Sequence, residues 1–124
     1  MTVTRKEFYD EWLKYFAAGI SGSNLEKYVV STGNLLWHIF SWELIDDTKF
    51  LSGDEAREAY DRVDKDGAIY IHWFENDTTH LLSWDMQHSR ILDKMTEVYV
   101  VAYDFSWTYI KTHEEMCGPY FMKL

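Results

Sequence analysis

The residues best able to do chemistry gather near one end of the chain, where His113, Glu114, Glu115 and Cys117 fall within five positions. A thiol and an imidazole are the parts from which a nucleophile and its base are made. Here they stand four residues apart on a terminal segment. That is no recognised catalytic spacing, and neither an oxyanion donor nor a third orienting group is implied nearby. The plainer expectation is structural, with His113 bonding a backbone carbonyl and Cys117 packed as a small hydrophobe. No catalytic residue is assigned on this basis. The competing reading is a small enzyme or ligand-binding domain in which His113, Glu114 and Cys117 work beside Trp107 and Tyr109.

Metal chemistry has three places to be looked for. His72, His80 and His88 recur at intervals of eight, with Asp85 three residues before His88, but a zinc or iron site needs three or four converging ligands and the spacing does not supply convergence. Asp64-Lys65-Asp66-Gly67 has the look of a calcium loop with Gly67 as its sixth position. That register would put Arg62 first and Trp73 twelfth, and neither offers the required carboxylate. A single cysteine excludes both a multi-cysteine zinc site and an intramolecular disulfide framework. No metal or other cofactor is expected, and GxGxxG, Walker, GxSxG and HExxH patterns are all absent from the sequence. His38 lies in the most apolar run, where its ring needs a partner such as Glu43, Asp104 or a backbone carbonyl.

Charge is the stronger signal. Twelve Lys and Arg against 21 Asp and Glu leave a formal net charge of -9, the wrong sign for phosphate backbones or anionic lipid and the right one for a basic protein partner. Residues 43–77 hold eleven of the acids against four bases, so this window carries most of the excess. Within it, Asp46, Asp47, Asp54, Glu58 and Asp61 are the candidate partner-binding residues, with exposed Trp and Tyr as anchors. The opposing expectation is a merely solvated helix face laced by the i, i+4 pairs Glu58–Arg62, Asp61–Lys65 and Arg57–Asp61. The resulting functional expectation is a non-catalytic protein-binding domain, in its most concrete form an acidic immunity-type inhibitor of a basic toxin or nuclease. A homodimer whose aromatics form the interface is the structural alternative.

The elements that must position these groups follow from patterning. Six Trp, nine Tyr and seven Phe in 124 residues can build a core without a staple. Thr4-Arg5-Lys6-Glu7 is a capping-box pattern, and Phe8, Trp12 and Phe16 recur every fourth residue, which predicts a helix over 5–18. Residues 34–42, apolar on both alternations, predict a central strand. A second capping box at Ser52 leads into a helix over 54–66 with Ala56, Ala59, Tyr60 and Val63 inward. Alternation predicts strands over 68–74, 97–103 and 105–111, and spacing predicts a helix over 83–95 that Ser89 could restart. Together these give an α+β fold, a single compact domain in which helices cover a mostly buried four-stranded mixed sheet. No run approaches the length of a membrane helix, and the N-terminus lacks a signal-peptide pattern, so a cytoplasmic protein is expected.

Several blocks carry a resemblance: residues 35–42 (LLWHIFSW), 53–60 (GDEAREAY), 104–109 (DFSWTY), 112–114 (THE) and 118–121 (GPYF). Taken together they resemble a family of small uncharacterised proteins of Gram-positive bacteria, catalogued as a domain of unknown function. The resemblance implies a stand-alone α+β domain and brings no activity, cofactor or catalytic residue with it.

Overall fold

The computed structural model describes residues 2–124. Helix α1 (Arg5–Phe16) begins where the capping box requires, the Thr4 hydroxyl accepting from the Glu7 amide and the Glu7 carboxylate accepting from the Thr4 amide. Its every-fourth-residue stripe, Phe8, Trp12 and Phe16, is buried. The Trp12 indole N–H, which cannot be left unpaired in a core, donates to the Thr108 hydroxyl at 3.0 Å, and that hydroxyl donates to the Val100 carbonyl at 2.9 Å. One buried polar chain therefore fixes α1 on the sheet.

The sheet has six strands: β1 (Leu51–Ser52), β2 (Ile69–His72), β3 (His80–Leu81), β4 (Val98–Val101), β5 (Trp107–Lys111) and β6 (Tyr120–Lys123). Their spatial order is β1-β6-β5-β4-β2-β3, and every pairing is antiparallel. Side chains alternate in direction along a strand, and here both directions are covered. Tyr99, Val101, Ile71, Ile110 and Met122 pack with α1, Leu36, Trp37 and Phe40. Val98, Val100, Trp107, Tyr109 and Phe121 pack with Ala56, Tyr60, Met86 and Leu92. The first layer adds α2 (Gly22–Tyr28) and the one-turn α3 (His38–Ser41), and the second consists of α4 (Asp54–Arg62), a 3-10 turn over Trp84–Gln87 and α5 (Ser89–Leu92).

The α+β class holds, but the four-stranded mixed sheet does not: there are six strands, all antiparallel, and helix is modest. Residues 34–42 form a turn and α3 instead of a central strand. Leu36, Trp37, Ile39 and Phe40 are the buried ones, an i, i+1, i+3, i+4 set that belongs to a helical turn pressed on a core. Strand β6 was hidden in a three-residue apolar block after Pro119, and β1 and β3 are two residues each, too short to show alternation. The helix over 83–95 breaks at His88, and α4 stops at Arg62 because Val63 is already extended. Gly53, and not Ser52, is the N-cap of α4, at a positive φ of 64°. Among the described residues no helix is long and apolar enough to cross a membrane.

Candidate functional site

Two places concentrate functional side chains. The first is interior. Glu97 immediately precedes β4 and its side chain is fully buried. A carboxylate there is tolerable only if donors saturate it, and they do. Oε1 accepts from the Trp37 indole at 3.0 Å, from the His113 ring Nδ1 at 2.7 Å and from the His113 amide at 3.3 Å; Oε2 accepts from the Tyr99 hydroxyl at 2.9 Å. Burial, and then the neighbouring Glu97 charge, push the Tyr99 hydroxyl well above its ordinary pKa and keep it a donor. Three chain segments, around Trp37, Glu97–Tyr99 and His113, thus meet on one side chain.

With Nδ1 committed to Glu97, the outward nitrogen of His113 is Nε2, which lies 3.5 Å from a Glu114 oxygen. Phe74 and Trp37 stand edge-on to the ring at 5.4 and 5.8 Å. The ring orientation of His113 is thereby fixed from both sides. Burial first, and then Cys117, push the Tyr120 hydroxyl pKa up to about 12. Among the described residues no hydrogen bond joins the thiol to His113. The expected backbone-carbonyl partner of His113 is replaced by the Glu97 carboxylate. His38, expected to seek Glu43, Asp104 or a carbonyl, pairs through Nδ1 with the Ser41 hydroxyl at 3.1 Å and stacks on Trp37 at 4.1 Å. Burial holds its pKa below the ordinary value, with Glu97 and Glu114 pulling the other way and His113 adding to the lowering. Trp107 and Tyr109 face the α4 layer, away from this cluster.

The second place is the surface, where the five acidic candidates are not equivalent. Asp46 and Asp47 lie beside the α1–α3 layer, and Asp46 caps the following turn through the Thr48 amide and hydroxyl. Those bonds hold its pKa below the usual carboxylate value. Asp54, Glu58 and Asp61 lie on α4, in the opposite layer, with β1 between the two groups. Asp54 is paired with Arg57 at 2.9 Å. Asp61 is committed to structure, accepting from the Ser89 amide at 2.8 Å and the Ser89 hydroxyl at 3.2 Å, which ties α4 to α5. The lacing expected of α4 does not form. Arg57 pairs with Asp54 and Asp93, while the Lys65 ammonium turns in over the Tyr60 ring and donates to the Asp61 and Val63 carbonyls. Among the described residues, Asp10, Asp54 and Asp93 are the carboxylates within 4.0 Å of a Lys or Arg nitrogen.

His88 stands apart from His72 and His80, at 3.6 Å from Asp61, and among the described residues no group of three or more His, Cys, Asp or Glu is placed to hold a metal ion. Sequence reasoning missed Glu97, which looked like the polar start of a strand. It also missed a groove of about 460 Å³ beside α1, lined by Val3, Phe8, Ile69, Leu81, Tyr103 and Phe105 and rimmed by acids of α1. Its parts come from separate stretches of chain, so no local pattern announces it.

A family model described as a domain of unknown function, DUF4275, matches residues 3–121. The chain belongs to that family. No curated protein and no solved structure matches it. The DUF4275 match runs from before α1 into β6 and so takes in the interior Glu97 cluster and the groove alike. It assigns chemistry to neither.

Proposed function

We propose that this DUF4275 chain is a non-catalytic protein-binding domain for a basic protein, acting as an immunity-type inhibitor acts on a cationic toxin or nuclease. The observation that carries this reading is the unneutralised state of the surface acids: of 21 Asp and Glu Glu97 is buried, and among the described residues ion pairs with Lys or Arg involve Asp10, Asp54 and Asp93. A surface in that state projects a negative potential, which speeds encounter with a cationic partner and disfavours neutral or acidic ones. Asp46, Asp47 and Glu58 supply it on the side of β1, where Asp54 is paired with Arg57. Asp61 contributes charge but not a free carboxylate. A nuclease collects its phosphate-binding cations in one cleft, and a carboxylate-bearing domain of this size is the simplest plug for it.

The test is capture of partners on the immobilised chain from its native host at low salt, followed by elution with a salt gradient. A basic protein retained at low salt and released as salt rises, with its toxic or nucleolytic activity suppressed by the added chain, is the expected result. Retention of acidic or neutral proteins only, or a complex indifferent to salt, overturns the reading.

A further inference from the structure

The groove beside α1 combines two features that rarely coexist by accident on a soluble surface. Its floor is closely packed. Phe8 is fully buried, and Phe105, held at a positive φ of 59°, packs its ring against Phe8 at 6.1 Å and Tyr15 at 5.1 Å. Gly67 permits the close approach of the far wall, because a Cβ there would lie 3.3 Å from the Tyr103 Cβ. Over this floor two large apolar side chains stand in water, Leu81 at 67% and Tyr103 at 72% exposure. Scattered exposed hydrophobes need no explanation, but a pair flanking an apolar concavity does.

The rim is acidic. Glu7, Asp10 and Glu11 line it along α1; Glu7 also accepts from the Thr4 amide at 3.0 Å in the capping box, and Asp10 pairs with Lys6 at 3.1 Å, but both lie in water where such bonds are weak. On the other side of Tyr103 a second cavity of about 420 Å³ brings Asp64, Asp66 and Asp104, with Arg62 and Lys123 as its cations. Tyr103 therefore stands between two sets of carboxylates, the arrangement of an aromatic anchor inside a charged ring.

From this we infer that the groove is the docking site for a segment of the basic partner that presents a leucine-like side chain flanked by Lys or Arg. The apolar side chain enters between Leu81 and Tyr103, and the flanking cations meet Glu7, Asp10 and Glu11. This rests on the proposed basic partner and adds to it the contact surface and the chemistry of the segment bound.

The probe is the peptide Lys-Arg-Leu-Leu-Arg-Lys, compared with Lys-Arg-Ser-Ser-Arg-Lys and Gln-Gln-Leu-Leu-Gln-Gln. Binding is followed by amide chemical shifts of the labelled full chain. Expected are shifts confined to Val3, the Glu7–Glu11 turn, Ile69, Leu81 and Tyr103, affinity at least about tenfold weaker for either control peptide, and a similar loss with Leu81→Ser or Glu11→Lys. Both side chains are exposed, so both variants keep the wild-type melting curve. Binding of the first peptide with shifts elsewhere, unaffected by Leu81→Ser and Glu11→Lys, overturns the groove while leaving a basic partner standing. Equal binding of the uncharged peptide overturns the charge match. Absence of any shift overturns the inference, and host capture then decides separately whether the basic-partner reading survives. A concentration-dependent doubling of mass abolished by Leu81→Ser assigns the groove to a second copy of the chain and also overturns it.

Discussion

The interior cluster at Glu97 and the groove at Tyr103 use the same chemistry, carboxylates beside aromatics, to opposite ends. At Glu97 every donor is supplied from within: Trp37, Tyr99 and His113 saturate both oxygens, and solvent has no access. In the groove Glu11 lies in water with Glu7 and Asp10, which keep only an exposed cap bond and an exposed pairing to Lys6, and the aromatic beside them is 72% exposed. A saturated carboxylate holds chain segments together; an unsaturated one is free to meet something else. Alpha-helix 4 shows the contrast within two turns, since Asp61 is spent on Ser89 while Glu58, three residues before it, makes no ion pair among the described residues.

The comparison is open to attack by substitution, and the largest effect is expected inside. Glu97→Ala leaves the Trp37 indole, the Tyr99 hydroxyl and the His113 ring without their shared acceptor and should cost about 3–5 kcal/mol, read as a lower urea midpoint with an unchanged slope. Binding of the Lys-Arg-Leu-Leu-Arg-Lys probe to the folded fraction should not change. Weakened binding at unaltered stability would reverse the roles assigned to the two regions.

Next comes Asp61→Ala, which removes both bonds to Ser89 and should cost about 1–2 kcal/mol, against Glu58→Ala on the same helix, expected within about 0.5 kcal/mol of wild type. Equal costs would show that Asp61 is not structural. Leu81→Ser should leave stability unaltered and lower probe affinity about tenfold, the mirror image of Glu97→Ala.

The smallest effect concerns pH. Burial lowers the His38 pKa in the folded chain, so on acidification the unfolded chain takes up this proton first. His38 then contributes stability that is full above its unfolded pKa and is lost as pH falls towards the folded one. His38→Gln should therefore flatten part of the stability decline from neutral pH downward. A steeper decline in that variant would contradict the assignment.

Much of the scaffold was legible in the sequence. The capping box and fourfold stripe of α1, the inward Ala56 and Tyr60 of α4, and the alternation of β2, β4 and β5 are local patterns, and they hold. Three kinds of feature escaped. Two-residue strands such as β1 and β3 carry no period. Residues 34–42 are apolar on both alternations, which hides that their polar members Asn34, His38 and Ser41 stand at the helical i, i+4, i+7 spacing, and the buried set proves helical. Sites assembled across the chain have no local signature at all. Glu97 meets Trp37 across 60 positions, and the groove joins α1 to Gly67, Leu81 and Tyr103. The acids are densest in sequence over residues 43–77, but there they are split between two layers and partly committed to caps and pairs. The fold gathers a smaller number around an apolar hollow, where they have an anchor to work with.

The most direct test is hydrogen–deuterium exchange of the full chain with and without its captured basic partner. The account predicts new protection at Val3–Glu11, at Gly67–Ile69, at Leu81 and at Tyr103–Phe105, with little change along Asp46–Glu58. Protection confined to Asp46–Glu58, with the groove exchanging as in the free chain, would contradict it.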